Sequence, residues 1–362
     1  MNLIEYENLN KVNKFLEKKI LKNVSAFLKN GNYILGENVY NFEKIFSKFI
    51  KNRFSAGVGN GLDALIISLN SLNLKPNDEI IVSCHTYIAT IIAIIRAGLK
   101  PVLVEPDIST YNISPEEIKK SISKKTRAIV VTHMYGKSCD MLPILDIVNK
   151  YRLFLIEDCA QSHGAQYFKK YTGTFGDYGC FSFYPTKNLG GFGDGGLITS
   201  NIRKNIEKVK KLRNYGFKAK NITEYLGFNS RLDEIQATFL IEKIKYLKKI
   251  NEHKRRLAEI YFYYLSDNFI KPVIDKNFYD VYHIFPIRIN ERDKLIAYLK
   301  KRGVETAIHY PIPPHKQKPF NSFFKNSFPL TEQIHKTILS LPISFFHSEK
   351  DIIRICKIIN KF

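Results

Sequence analysis

The sequence predicts an α/β fold. A large domain would carry a mostly parallel central sheet covered by helices on both faces, with a smaller C-terminal α/β domain attached. Three observations predict it. Strand-length apolar runs alternate with helix-length amphipathic runs between residues 53 and 157, joined by short loops. Such alternation builds parallel sheets, because parallel neighbours need crossover helices. After Arg231 the texture changes to a long amphipathic helical stretch. The 362 residues are also many for one simple core. The domain boundary is expected near residue 250, dividing the chain into 1–250, with an N-terminal helical segment, and 251–362.

In order, Leu9 to Val24 and Val39 to Ile50 alternate apolar and charged positions at helical spacing. Arg53 to Val58 reads as a short strand running into Gly59-Asn60-Gly61, with a helix opening at Leu62. Glu79 to Ser83 is a strand and Thr90 to Arg96 a helix. Pro101 to Glu105 (strand), Pro115 to Ser123 (helix) and Thr126 to Thr132 (strand) follow. Met141 to Lys150 (helix) and Leu153 to Glu157 (strand) complete the alternation. Leu232 to Tyr264 is helical, with room for a break; Asp280 to Asn290 is a strand and Glu291 to Lys301 a helix. Proline-containing loops are expected at His309 to Pro319 and Leu341 to Phe345.

Composition narrows the function classes. With 44% hydrophobic residues the chain reads as an ordinary globular protein. The start, Met1 to Glu7, is acidic and lacks an apolar signal core. The apolar stretch from Ile80 to Ala97 is broken by Ser83, His85, Thr86, Tyr87 and Arg96, so no membrane span is expected and the location is read as cytoplasmic. Cys84, Cys139, Cys159, Cys180 and Cys356 stand singly, without metal-ligand spacing, and read as buried free thiols; no metal site is expected. The net charge of +22 raises a nucleic-acid partner. The lysines are spread along helices, as at Ile206 to Leu212 and Glu242 to Lys254, so the charge is read as a lysine-coated surface with no nucleic-acid partner.

Three motifs carry chemistry. Lys187 lies between a small aromatic strand and the loop Gly190-Gly191-Phe192-Gly193-Asp194-Gly195-Gly196. Asp158 ends an apolar strand in Glu157-Asp158-Cys159-Ala160-Gln161-Ser162-His163-Gly164-Ala165. Gly59-Asn60-Gly61 sits at a strand-to-helix junction, where free amides bind anions. Each has an ordinary reading: a surface lysine, a helix N-cap boxed by Gln161, a tight turn. Together they meet the needs of pyridoxal phosphate, a lysine amine to join its aldehyde and a carboxylate to pair with its pyridinium nitrogen.

The order phosphate turn, aspartate, lysine is that of fold-type I pyridoxal phosphate enzymes. The chain closely resembles the DegT/StrS-type sugar-nucleotide aminotransferases from about Tyr33 onward. The resemblance rests on Gly59 to Leu65, Glu157 to Ala165, Ser182-Phe183-Tyr184-Pro185-Thr186-Lys187 and Gly227-Phe228-Asn229-Ser230-Arg231-Leu232-Asp233. It implies that Lys187 is the lysine joined to the cofactor and the proton shuttle. It implies Asp158 at the pyridine nitrogen, Gln161 at the ring hydroxyl and Tyr87 stacked on the ring. Asn60, Gly61 and Ser182 would bind the phosphate, and Asn229 would reach into a neighbouring subunit, so a homodimer with shared sites is implied.

Many relatives carry Ser-Gly-Thr at the phosphate turn; here Asn60 would donate from its side chain instead. That turn and the loop Ile308 to Gln317 resemble the branch that aminates the sugar at C3. His309 and His315, in a proline-rich loop, are candidates to line the sugar-nucleotide pocket, with Tyr310 and Tyr184 beside them. Arg213 and Tyr215 are candidates for an anionic or sugar group. His163 reads as a packed histidine holding its loop that still touches cofactor or substrate. The implied activity is transfer of an amino group from L-glutamate, through pyridoxamine phosphate, to a nucleotide-linked 3-keto-6-deoxyhexose, the nucleotide being dTDP. Amination at C4 is the runner-up. A sugar dehydratase fits less well, because those relatives replace the lysine with histidine. A non-catalytic cofactor-binding regulator is the alternative from another class.

Overall fold

Runs of Ile, Val and Leu between turn signals pair into one sheet in the computed structural model, which describes residues 3–362. Met1 and Asn2, the first residues of the stretch read for a leader, lie outside the described residues. The strands are β1 (Phe54–Val58), β2 (Glu79–Ser83), β3 (Lys100–Val104), β4 (Thr126–Thr132), β5 (Phe154–Asp158), β6 (Tyr178–Ser182) and β7 (Gly196–Ser200). Their order across the sheet is β1-β7-β6-β5-β4-β2-β3. The five strands β6, β5, β4, β2 and β3 pair in parallel, and β7 runs antiparallel to both its neighbours. The mostly parallel sheet is therefore present. β7 is the strand the sequence reading passed over, because its glycine-flanked run carries no alternation.

Most predicted elements shift by a residue or two at their ends, while the helix expected over Pro115 to Ser123 stops at Lys120 and that expected over Leu9 to Val24 continues, in pieces, to Asn30. The long helical stretch divides into Glu234–Ile244 and Leu247–Tyr264, with the break at Lys245 and Tyr246. The strand expected over 280–290 shrinks to Phe285–Arg288, which pairs with Ile338–Leu341. Residues 280–284 form a loop instead, tied to the large domain by the Val281 amide, which donates to the Gly136 carbonyl. Among the described residues no helix is long and apolar enough to cross a membrane. All five cysteines are buried and free.

One apolar cluster fills one face of the sheet, two share the other, and a further one, with Leu257, Tyr261, Phe285, Leu339 and Ile352, forms the C-terminal core. Ile4 joins that C-terminal core and bridges to Val304, so the chain start docks on the far domain. Helix Leu247–Tyr264 runs through the proposed division near residue 250 without a break.

Two helices take their N-terminal caps from distant carboxylates. Helix Glu37–Ile50 has no side-chain cap of its own. Glu234, 1% exposed, accepts instead from the amides of Gly36, Asn38 and Val39 at 2.8, 3.0 and 2.9 Å. Helix Pro329–Thr337 is served in the same way by Glu105, which accepts from the Leu330 and Thr331 amides. Charge-assisted bonds to orphaned amides suit a helix N-terminus, where the dipole favours an anion. Glu234→Ala leaves those amides unsatisfied, and urea unfolding is expected to show a loss of about 3 kcal/mol.

Candidate active site

Along β5 successive side chains point to opposite faces, so Glu157 and Asp158 part company. Glu157 faces the structural side. It accepts from the amides of Gly173, Phe175 and Gly176 at 2.7, 2.7 and 2.8 Å, and meets His133 Nε2 at 3.0 Å. His133 Nδ1 accepts from the Cys139 amide, so Nε2 carries the hydrogen. Cys159 lies beside this pair. The carboxylate's hydrogen bonds are already filled by protein donors.

Asp158 faces the site. Thr90 donates to Oδ2 at 2.7 Å and the Ala160 amide to Oδ1 at 3.1 Å. The carboxylate is 5% exposed. Burial pushes its pKa up, against the pull of Thr90, Ala160, Lys187 and His133. A buried anion held by two donors, with lone pairs to spare, is suited to a protonated ring nitrogen.

Lys187 follows β6 on a turn closed by its own amide, which donates to the Tyr184 carbonyl. Desolvation lowers its pKa to about 8, opposed by Asp158. Its Nζ lies 3.4 Å from His283 Nε2. The flanks are fixed from helix Leu247–Tyr264. Lys254 donates to Asn188 Oδ1 at 3.0 Å and to the His283 carbonyl at 3.2 Å. Asn188 donates to Asn251 Oδ1 and to the Val281 carbonyl, both at 2.9 Å. Lys187 therefore sits between two segments pinned by one helix.

At the turn after β1, a Cβ on Gly61 would lie 2.6 Å from the Ser182 Cβ, so only glycine lets the helix mouth approach the end of β6. Asn60 departs from expectation. Its Oδ1 caps helix Gly61–Ser71 by accepting from the Asp63 amide at 2.8 Å, and its Nδ2 donates to Asp63 Oδ2 at 3.1 Å. The side chain is thus committed to its own helix, and the anion-binding capacity rests on the first-turn amides and Ser182. Ser230 braces the turn, accepting from the Gly59 amide and donating to Asp63.

Above this floor, Tyr87 is half exposed and its ring meets that of Tyr310, centroids 5.2 Å apart. The two line a groove of about 570 Å³ together with Thr86, Pro311, Ile312 and Lys316. Gln161 accepts from the Tyr135 amide at 2.8 Å and donates to the Tyr310 hydroxyl at 3.0 Å. His309 is half-buried, bonded through Nδ1 to the Ser340 hydroxyl at 2.9 Å. Burial and the charge of Lys187 lower its pKa to about 4.

Three candidates need correction. Arg213 was expected to handle an anionic or sugar group. Its guanidinium is instead buried, donating to Glu43 Oε1 at 2.5 Å and to the Gly57 carbonyl at 2.7 Å, which ties β1 to helices Glu37–Ile50 and Arg203–Leu212. His315 does not line the pocket: it is buried against Phe328 and bonds Glu332 through Nε2 at 3.1 Å. His163 is 1% exposed, its ring 5.7 and 5.8 Å from those of Phe181 and Phe183, and burial lowers its pKa to about 3. It is the packed histidine, with no face open to substrate. Tyr184, Tyr215 and Asn229 are exposed; Tyr215 packs beside Phe217 with Arg231 over its ring.

Residues 14–360 match the DegT/DnrJ/EryC1/StrS aminotransferase family. The chain belongs to that family. It is 44% identical over 99% of its length, and 99% of the other's, to the dTDP-3-amino-3,6-dideoxy-alpha-D-galactopyranose transaminase of Aneurinibacillus thermoaerophilus. Among solved structures, DesV of S. venezuelae superposes with a TM-score of 0.97 at 33% identity, covering 100% of this chain and 98% of that one. NtdA of Bacillus subtilis, with bound cofactor PMP, superposes with a TM-score of 0.92 at 28% identity, covering 100% of this chain and 86% of that one. The protein is thus an aminotransferase of the DegT/DnrJ/EryC1/StrS type, a class that uses pyridoxal phosphate, on the fold-type I scaffold.

The residues present suit that cofactor. A buried Asp158 with lone pairs to spare, a desolvated Lys187 that feels its charge, a glycine cradle at Gly61 against Ser182 and an exposed ring at Tyr87 are the groups it needs. Sequence reasoning missed Thr90, Tyr135, Ser230, Asn188, Asn251, Lys254 and His283. Thr90 lies three residues after Tyr87 and could have been found as its helical neighbour, and Asn188 and Ser230 stand directly beside Lys187 and Asn229. Tyr135, Asn251, Lys254 and His283 come from segments far away in the chain.

Two outcomes follow from this geometry. The neutral amine is the form that joins an aldehyde, and the Lys187 pKa is depressed to about 8. The rate at which cofactor-free protein captures pyridoxal phosphate should rise with pH and reach half its maximum near pH 8, with borohydride trapping at Lys187 as the check. Arg213→Met should cost about 2 kcal/mol in urea unfolding, since it takes the buried guanidinium from Glu43 and leaves it the Gly57 amide and the more exposed Lys210, and should leave KM for the sugar within about twofold.

Proposed function

We propose that this aminotransferase moves an amino group from L-glutamate to a nucleotide-linked 3-keto-6-deoxyhexose, giving a 3-amino-3,6-dideoxy sugar, with dTDP as the nucleotide. The observation that carries the reading is the charge pairing of a desolvated Lys187 with the buried Asp158, together with a groove walled by Tyr87, Tyr310 and Ile312. The near-full-length relative named for a dTDP-3-amino-3,6-dideoxy sugar supports the position of amination. The reaction would run in two halves through pyridoxamine phosphate, in the cytoplasm, with Asn229 serving the site of a second subunit in a homodimer. Leu226, 97% exposed, and Ile222, 60% exposed, lie near Asn229 and leave apolar surface for such a partner to cover.

When bound, pyridoxal phosphate supplies an aldehyde to which amines join and a ring that takes up the electrons of a broken C–H bond. Lys187 carries the proton. With its pKa lowered to about 8, a free amine is available near neutral pH as base, and its ammonium is acidic enough to return the proton. Asp158, fixed by Thr90, would hold a negative charge against the ring nitrogen. Tyr87 would cover the ring face, and the Gly61 turn with Ser182 would hold the phosphate. His309 and Tyr310 present polar groups to the sugar. His309 stays neutral at pH 7, so it acts by hydrogen bonding.

Lys187→Ala should fold and bind pyridoxamine phosphate, yet lose transamination by about four orders of magnitude or more. With a panel of 3-keto and 4-keto nucleotide sugars and glutamate, NMR should show amination at C3. A C4 amine would overturn the position, and no turnover with a bound cofactor would favour a regulatory role. His309→Asn should slow the keto-sugar half-reaction and spare the glutamate half, each followed by single-turnover spectra.

A further inference from the structure

His85 stands in the loop before Tyr87, and no role has fallen to it so far. It is 0% exposed and sits within a chain of three hydrogen bonds. His335 Nε2 lies 3.0 Å from His85 Nδ1. His85 Nε2 lies 3.0 Å from the Tyr135 hydroxyl. The Tyr135 hydroxyl lies 2.5 Å from the carbonyl oxygen of His309.

The far end decides the direction of every bond. A carbonyl oxygen can only accept, so Tyr135 spends its single hydrogen on His309. Its oxygen must then accept from His85 Nε2–H. A neutral His85 with hydrogen on Nε2 has a lone pair on Nδ1, which accepts from His335 Nε2–H. His335 Nδ1 is left without a hydrogen; it is buried and has no protein partner.

The charges around the chain agree with neutral rings. His85 faces Arg288 and His335, and burial holds its pKa well below the usual value. His335 faces His315, Arg292, whose guanidinium donates to the His335 carbonyl at 2.6 Å, and the Tyr310 carbonyl; its pKa is lowered to about 4, chiefly by burial and against the pull of that carbonyl.

Tyr135 also works at its other end. Its amide donates to Gln161 Oε1 at 2.8 Å, and Gln161 Nε2 donates to the Tyr310 hydroxyl at 3.0 Å. The circuit Gln161, Tyr310, His309, Tyr135 therefore closes on itself. Tyr135 is held for this in a left-handed backbone conformation, φ 59°, uncommon for a residue with a bulky side chain.

We propose that His335, His85 and Tyr135 form a proton-ordered relay of positioning residues that locks the His309–Tyr310 segment against Gln161, and so sets where the sugar lies relative to the cofactor ring. None of the three is required to touch the sugar. The consequence for catalysis rests on the reading of His309 and Tyr310 as sugar-facing groups; the relay itself does not.

The relay can be tested directly in the full-length protein labelled with ¹⁵N at histidine. At neutral pH, long-range ¹H–¹⁵N spectra should show both His85 and His335 neutral with hydrogen on Nε2. Hydrogen on Nδ1 of either, or a positive charge, overturns the relay. For the catalytic consequence, Tyr135→Phe keeps the ring and the amide to Gln161 and removes only the hydroxyl. It should slow the keto-sugar half-reaction about tenfold relative to the glutamate half, the worth of one buried hydrogen bond. His85→Leu should do the same, and His85→Gln, which keeps a donor towards Tyr135, should recover most of the loss. Melting curves identify any variant that fails to fold, and the other substitution then carries the test. Equal slowing of both halves, or none, overturns the positioning role. His309→Asn is the reference. If it too leaves the sugar half untouched, the pocket reading fails, and the tautomers alone decide the relay.

Discussion

The site depends on a carboxylate that never meets the substrate. Glu157 is 0% exposed and gathers three backbone amides and His133 around its two oxygens. A buried carboxylate is tolerated only when its lone pairs are filled, so this arrangement permits little movement. It locks the Gly173–Gly176 turn to β5, and that turn leads into β6, which ends at Ser182. Because side chains alternate along a strand, fixing Glu157 on one face fixes Asp158 on the other. The register of Asp158 against Ser182 and Lys187 is thus set from behind the sheet.

The second constraint is electrostatic. Lys187, Lys243 and Lys254 each have pKa values lowered to about 8, with desolvation the leading cause. Lys243 and Lys254 donate to neutral oxygens, those of Gly190, Asn188 and the His283 carbonyl. Positive charge in a desolvated region lowers the affinity of nearby imidazoles for protons. His163, His283 and His309 all feel it, so the histidines around Lys187 stay neutral. The region is thereby biased to accept an anionic group.

Long-range carboxylates recur as the means of joining segments. Glu234 caps a helix 196 positions away in the chain, counted from Asn38. Glu105 reaches Leu330 across 225 positions. Glu43 pairs with Arg213 across 170. These bonds share one logic: a helix end or sheet edge with unsatisfied groups is met by a charge from another element. They explain why a chain of net charge +22 buries several of its acids, and why Arg213, with the look of a substrate ligand, serves the scaffold.

The sequence alone determined the alternation of strands and helices and the mostly parallel sheet, and it singled out Gly61, Asp158 and Lys187 as candidates. It could do so because hydrophobic period, glycine at a strand-to-helix turn and a lysine among glycines and aromatics are local signals. It misjudged Arg213, His315 and the side chain of Asn60, and it overlooked Thr90, Tyr135, Asn188, Lys254 and His283. Burial and partner choice decide those roles, and the partners lie far off in the chain. Whether a histidine meets a serine, as His309 does, or a glutamate, as His315 does, depends on which element packs over the same proline-rich loop. Only the tertiary structure brings helix Pro329–Thr337 to one end of that loop and Tyr135 to the other, because hydrogen bonds between distant segments leave no periodic mark in the sequence.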